Sequence, residues 1–102
     1  MRFEWDPEKS EENWIERGFD FAFATLVFDG ITLEKQDQRY EYGESRIIAI
    51  GLADGVALTV VYTDRMDERG EPVRRIISAR RSNRRERKAH EAALDEADEG
   101  PR

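Results

Sequence analysis

The chain has 102 residues, a formal net charge of −6, 39% charged and only 38% apolar residues, one His and no Cys. This size predicts one domain with a small core, and the composition excludes disulfides, thiolate metal sites and His-rich metal sites, so we expect no cofactor. No stretch has the apolar length of a membrane span or a signal peptide, so we expect a cytoplasmic protein.

The N-terminal region predicts a short aromatic segment followed by a surface helix. Residues Arg2–Trp5 are typical of a strand or an extended arm. Asp6 and Pro7 form a helix start, because Asp caps the first turn and Pro lacks an N–H where none is needed. Gly18 is typical of a helix end. Trp14 is predicted to anchor this helix in the core.

The most apolar stretch, residues 19–28, fits two structures. Phe19, Phe21 and Phe23 alternate as they would on a strand, whereas other apolar positions have helical spacing. The length and the Ala content favour a short buried helix that is capped by Asp20.

Four strands are predicted after this helix. They contain Ile31 and Leu33, the residues from Arg46 to Leu52, the residues from Val56 to Tyr62, and those from Val73 onward. Asp54-Gly55 is a hairpin signal between the second and third of them. Consecutive strands joined in this way predict an antiparallel meander. We expect its apolar face, with Ile48, Ile50 and Leu52, to be covered by the two N-terminal helices.

The positive charge is concentrated in one segment. Residues 73–90 carry eight Lys/Arg and one acid, a net charge of +7, and residues 91–102 carry −4. The first half predicts a strand with Ile76 and Ile77, and the second a helix that begins near Asn83, which has capping-box spacing to Glu86. Two interpretations stay open. Arginines are suited to phosphate contacts, but charge runs are also typical of a solvated face or a docking face for an acidic partner.

A chain without metal or Cys chemistry can still cleave RNA through the RNA's own 2′-OH. This reaction needs a base, an acid and cations around the charged phosphate. The candidates for phosphate stabilisation are Arg80 first, then Arg46, Arg65 and Arg75; Glu44, Glu86 and His90 are candidates for proton transfer. Each proton-transfer candidate also has an ordinary interpretation, as a helix cap for Glu86, a loop acid for Glu44 and a helix residue for His90.

An ordered set of segments closely resembles the BrnT family of bacterial toxins over residues 3–91. The segments are Phe3-Glu4-Trp5-Asp6-Pro7-Glu8-Lys9, Val27-Phe28-Asp29, Gly43-Glu44-Ser45-Arg46, Val60-Val61-Tyr62-Thr63-Asp64-Arg65, Arg75-Ile76-Ile77-Ser78-Ala79-Arg80-Arg81 and Arg84-Arg85-Glu86-Arg87. The family usually has His where Arg17 stands here. The resemblance implies an α+β, RelE-like fold with two N-terminal helices, a four-stranded antiparallel sheet and a C-terminal helix.

The resemblance also implies a function and a partner. It implies a ribonuclease toxin that cleaves RNA and inhibits translation, and a BrnA-type antitoxin that neutralises it and supplies the contact with DNA. From the charges, we expect the antitoxin to cover the basic face with an acidic or amphipathic segment. The alternative is a non-catalytic protein of the same fold that binds an antitoxin or nucleic acid.

The predicted catalytic residues are Arg80, Arg46, Arg65, Glu86 and His90, and the predicted RNA contacts are Arg75, Arg81, Arg84, Arg85, Arg87 and Lys88. No metal ligand is predicted. Residues 1–94 are expected to form one toxin domain, and residues 95–102 an acidic, frayed tail.

Overall fold

A computed structural model describes residues 1–39 and 43–98 of the chain. Its elements in chain order are β1 Arg2–Trp5, α1 Pro7–Arg17, α2 Phe21–Ala24, a 3₁₀ helix Thr25–Asp29, β2 Leu33–Gln36, β3 Ile47–Ala53, β4 Val56–Met66, β5 Pro72–Arg81 and α3 Arg84–Asp98. The last helix therefore continues beyond residue 94, and the rest of the predicted tail, residues 99–102, lies outside the described residues, as do 40–42 of the predicted polar loop.

The sheet has five strands in the order β1-β5-β4-β3-β2. Neighbouring strands from β2 to β5 are antiparallel, whereas β1 is parallel to β5. The α+β class is confirmed, but the expected four-stranded antiparallel sheet is wrong, because the N-terminal segment joins the sheet. Phe3 explains why it does so: its ring stacks on Phe28 with the centroids 5.7 Å apart, which ties β1 to the core.

The two faces of the sheet are covered by different helices. The α1 face lies under α1, α2 and the 3₁₀ helix, and its buried cluster combines Phe21, Ala24 and Val27 with strand residues such as Val60. The opposite face, which we call the α3 face, carries α3 at one end. Helices thus enclose one face and leave part of the other open.

The apolar face of β3 was assigned wrongly from the sequence. Ala49 and Ala53 belong to the buried cluster under the N-terminal helices, and Ile48, Ile50 and Leu52 alternate with them on the α3 face. Both faces of this strand carry apolar residues, and the face with the larger side chains is not the one that the N-terminal helices cover. The hairpin prediction is confirmed, since Asp54 and Gly55 both have positive φ values of 48° and 80°.

Helix α1 packs in the opposite way from that expected. Trp14 is 59% exposed, so its predicted role as a core anchor is wrong. The buried residues of α1 are Ser10, whose Oγ accepts a hydrogen bond from the Phe21 N–H (3.0 Å), and Asn13, whose Nδ2 donates to the Phe19 carbonyl (2.9 Å). Polar side chains fix the next segment of backbone in place, and the indole is left outside.

The segment after α1 forms the helix that its composition predicts. The Asp20 carboxylate accepts a hydrogen bond from the Phe23 N–H (2.9 Å) and caps α2. The following 3₁₀ helix presses Val27 onto Gly51 of β3, where a Cβ would lie 3.1 Å from the Val27 Cβ. Within the described residues, no helix is long and apolar enough to cross a bilayer.

Candidate functional site

A β-bulge decides which arginines share a face. The pairing of β4 with β5 shifts between Val61 and Tyr62, which pair with Ser78 and Ile76 and leave Ile77 as an extra residue. The bulge reverses the alternation along β5. As a result Arg75 and Arg80, at positions of opposite parity, both lie on the α3 face.

A groove of about 250 Å³ lies on the α3 face, between the sheet and the start of α3. We call it the Arg80 groove; its lining residues are Lys35, Arg39, Ile48, Thr59, Val61, Ser78, Arg80 and Glu86. Three of these side chains are cationic and one is anionic. The groove is therefore a concave site with a net positive charge, suited to an anionic ligand.

Arg80 and Glu86 form a two-pronged ion pair at the junction of β5 and α3. The Arg80 Nη1 and Nη2 atoms donate to the two carboxylate oxygens of Glu86 at 2.7 and 2.8 Å. Glu86 also completes the predicted capping box, since it accepts from the Asn83 N–H (2.8 Å) and its own N–H donates to Asn83 Oδ1 (2.9 Å). The helix start thus holds the guanidinium in the groove.

The protonation of Glu86 follows from these donors. Its hydrogen bond from Arg80 holds the pKa of the Glu86 carboxyl below its ordinary value of 4.5, against the opposing effect of burial. Thr59, on β4, supports the same carboxylate, and its hydroxyl is 2.8 Å from the Ser82 Oγ. Glu86 is therefore ionised at neutral pH, which favours an acceptor that orients Arg80 over a proton donor.

A second group of predicted residues lies further along the α3 face. Arg65 donates to both carboxylate oxygens of Glu4, and Arg75 lies 3.6 Å from the same carboxylate. The hydrogen bond from Arg65 lowers the pKa of Glu4. Arg46 is paired with Glu44 at 3.1 Å. Because Thr63 pairs with Arg75 and bonds the Ser45 carbonyl, these groups form one row across the sheet.

His90 and Arg81 are not brought into the groove. The His90 ring is 3% exposed and contacts the Ile31 carbonyl oxygen at 2.9 Å, so it joins α3 to the segment before β2. Arg81 points to the α1 face, where it lies over the Phe19 ring at 5.8 Å. Both positions have structural contacts of their own.

The remaining predicted RNA contacts lie on α3. Arg84, Arg85, Arg87 and Lys88 are exposed, and Arg87 also donates to the Ser82 carbonyl (2.7 Å). Arg74, by contrast, belongs to the edge of the core, where its guanidinium lies over Tyr62 at 4.0 Å and binds Asp64. The basic segment therefore divides into groove, helix surface and core residues.

Sequence reasoning missed Lys35, Arg39 and Thr59 as groove residues. Lys35 pairs with Ile48, which sets its face, but four-residue strands give no clear alternation from which this register could be read. Arg39 binds both carboxylate oxygens of Asp37 at 2.9 Å. Neither cation lies in the basic segment, which is why charge counting did not identify them.

Arg17, at the C-terminal end of α1, lies behind the groove. Its Nη1 donates to Asn13 Oδ1 (2.8 Å) and to the Ala79 carbonyl (3.2 Å), and its own carbonyl accepts from Arg81 (3.0 Å). These bonds fasten the end of α1 to β5. Arg17 therefore supports the strand that carries Arg80, and it does so from the side of the sheet opposite the groove.

Comparison with known proteins identifies the family. No curated protein matches the sequence. A family model described as the ribonuclease toxin, BrnT, of type II toxin-antitoxin systems matches residues 5–86, from the end of β1 to the capping residue of α3. This match spans most of the chain and every strand that forms the groove. The chain belongs to the BrnT family of ribonuclease toxins.

Proposed function

We propose that this chain is a metal-independent endoribonuclease of the cytoplasm that inhibits translation by cleaving RNA. The observation that carries the proposal is Arg80, a half-exposed guanidinium held in a cationic groove by the first turn of α3. A planar guanidinium of this kind binds phosphate through two parallel hydrogen bonds. Membership in a family of ribonuclease toxins supplies the substrate class.

The proposed reaction uses the 2′-oxygen of the substrate as the nucleophile. The 2′-hydroxyl loses its proton to a base as its oxygen attacks the adjacent phosphorus, and the bond from phosphorus to the 5′-oxygen breaks. The departing 5′-oxygen takes a proton from water, which leaves a 2′,3′-cyclic phosphate and a 5′-hydroxyl. Negative charge grows on the phosphate oxygens in the transition state, and Arg80 stabilises that charge. Arg46 and Arg65 hold the flanking phosphates along the same face, and Glu44 and Glu86 remain the candidate bases.

The test is RNA cleavage by the purified chain in EDTA. We expect wild type to cleave and Arg80→Ala to be about 10²–10³-fold slower, as for the loss of one transition-state donor. Arg69→Ala is the matched control, because Arg69 lies in the β4–β5 loop, outside the groove. Absence of cleavage by wild type, or equal rates for wild type and Arg80→Ala, would contradict the proposal.

We also propose that a BrnA-type antitoxin covers the Arg80 groove with an acidic or amphipathic segment. Type II membership implies an antitoxin partner, and the net positive charge of the groove supports an acidic segment there. Arg80→Glu and Arg84→Glu should weaken the complex and Arg69→Glu should not. Inducing the chain with and without the neighbouring gene, while following growth and RNA integrity, tests neutralisation in cells.

A further inference from the structure

Helix α1 displays its apolar side chains to solvent. Trp14 and Ile15 are the two large apolar residues in its sequence, and they are 59% and 73% exposed, while Ser10 and Asn13 face the core. The fold gains nothing from this arrangement, since apolar surface is stabilised by burial. An exposed tryptophan beside an exposed isoleucine marks a binding surface more often than scattered single residues do.

Two hollows flank the Trp14 indole. One of about 450 Å³ is lined by Trp5 and Pro7, and the other of about 410 Å³ by Phe19, Phe23 and Val56. Each has room for one large apolar side chain. We call these residues the Trp14 surface: the exposed Trp14 and Ile15, and the partly buried Trp5, Phe23 and Val56.

The shape of the Trp14 surface favours a helix as its occupant. Both hollows share Trp14 and Asp20 in their walls, so one indole separates them. Side chains three or four positions apart on a helix lie about 5–6 Å from each other at their Cβ atoms, which is close to the width of such a ridge. A helix that straddles Trp14 places one apolar side chain in each hollow.

The charge around this surface favours a basic helix. Glu11 and Asp20 line the first hollow together with apolar and hydroxyl groups and without a cation. The second hollow is lined by one anion, Asp20, and one cation, Arg81, whose Nη1 also donates to the Arg17 carbonyl at 3.0 Å. Lys or Arg residues beside the anchor in the first hollow would therefore meet two carboxylates.

We propose that the Trp14 surface binds a basic amphipathic helix of the antitoxin, as a contact separate from the one that blocks the groove. This inference rests on the proposed function, because the antitoxin is its partner. The surface lies on the α1 face, across the sheet from Arg80. An antitoxin that binds both faces stays bound to the toxin when the groove contact alone is weakened.

The test measures the affinity of the cognate antitoxin, purified, for variants of the full chain by calorimetry. Trp14→Glu should weaken binding by at least ~30-fold, as the loss of an interface anchor does. Met66→Glu, at an equally exposed apolar residue of β4, should change it less than ~3-fold. Glu11→Lys should also weaken binding, and this effect should fade as salt is raised.

Several outcomes overturn the proposal. Unchanged affinity of Trp14→Glu, or tighter binding by Glu11→Lys, shows that no basic helix binds there. A change in self-association alone, seen by sedimentation, assigns the surface to a second copy of the chain. If circular dichroism shows that Trp14→Glu is unfolded, Ile15→Glu carries the same test.

The RNA-cleavage assay keeps this inference separate from the proposed function. Trp14→Glu should cleave RNA at the wild-type rate, because Trp14 contributes nothing to the groove. Wild type without cleavage rejects the ribonuclease while the binding data still decide the surface. Wild type that cleaves RNA but binds no antitoxin rejects both proposed antitoxin contacts, at the groove and at the Trp14 surface, and leaves the ribonuclease proposal intact.

Discussion

Glu86 combines three tasks in one carboxylate. It caps α3 through the Asn83 N–H, fixes the Arg80 fork, and accepts support from Thr59 on the adjacent strand. The sequence left two alternatives for Glu86, a helix cap and a catalytic base. The geometry joins them, because the capping position itself is what brings the carboxylate to Arg80.

This arrangement predicts a pH-dependent stability. The pKa of Glu86 is lowered in the folded chain. The ion pair therefore contributes fully to the unfolding free energy above the pKa that Glu86 has in the unfolded chain, and this contribution is lost as the pH falls through its pKa in the folded chain. Glu86→Gln keeps the cap but loses the ion pair, and should reduce the unfolding free energy by about 0.5–1 kcal/mol at pH 7.

Urea unfolding of both proteins from pH 7 to pH 3 measures the effect. The difference in unfolding free energy between wild type and Glu86→Gln should stay constant down to the pH range in which an ordinary glutamate titrates, and it should shrink below that range. Glu91→Gln, on an exposed position of α3, is the matched control. A difference that grows as the pH falls would show that the Glu86 carboxylate does not gain stability from its partners.

Among the elements, β5 shows most clearly what a single sequence can predict. Its existence follows from Ile76 and Ile77, but the face of each arginine depends on the bulge, which is set by how two strands pack. The strand–helix junction at Arg80 was predicted from local signals. Thr59 and Lys35 were not, because their place depends on register between distant segments.

Helix α1 and strand β1 were difficult for related reasons. The caps Asp6 and Gly18 are local signals, and both ends of α1 were predicted from them. Which side of α1 faces the core depends on polar bonds from Ser10 and Asn13 to a later segment, which apolar periodicity does not reveal. The pairing of β1 with β5 is likewise a contact between segments that are distant in the sequence, and the four residues of β1 do not reveal it.

The contact of the 3₁₀ helix with β3 leads to a prediction at the same scale. A Cβ at position 51 would lie 3.1 Å from Val27 Cβ and 3.2 Å from the Val27 carbonyl oxygen. Gly51→Ala should therefore push the 3₁₀ helix outward and destabilise the fold by about 1–3 kcal/mol. Gly30→Ala is the control, because nothing lies within 4 Å of its Cβ and its backbone is extended.

Chemical denaturation of the two glycine variants distinguishes a steric cost from a general effect of alanine. The midpoint should fall for Gly51→Ala and stay near wild type for Gly30→Ala, with similar slopes. Equal midpoints for the two variants would mean that the 3₁₀ helix moves away from the sheet at little cost in unfolding free energy. In that case the tight contact at Gly51 does not determine how the helix sits on the sheet.

The molecule as a whole separates its charges. The chain carries −6 in total, yet residues 73–90 carry +7 and supply Arg80 and the exposed cations of α3. The exposed side of α1 is mainly acidic, with Glu8, Glu11, Glu12 and Glu16. RNA is therefore expected to approach the groove and α3, and to be repelled from the α1 side.

This separation predicts how salt affects RNA binding. Replacing Arg84, Arg85 and Lys88 by Ala should weaken the binding of single-stranded RNA and lower the slope of log affinity against log salt by about 2, at ~0.7 per phosphate contact. Lys9→Ala with Arg69→Ala is a control with cations removed elsewhere. An unchanged slope in the triple variant would place the RNA contacts away from α3.

The parallel pairing of β1 with β5 has a consequence for biosynthesis. Strand β1 leaves the ribosome about seventy residues before its partner β5, since Arg2 pairs with Val73. Closing so long a loop delays folding until most of the chain has been translated. A partly synthesised chain that ends before residue 80 lacks Arg80 and the complete sheet, so the proposed RNA-cleaving groove forms only after most of the chain has been made.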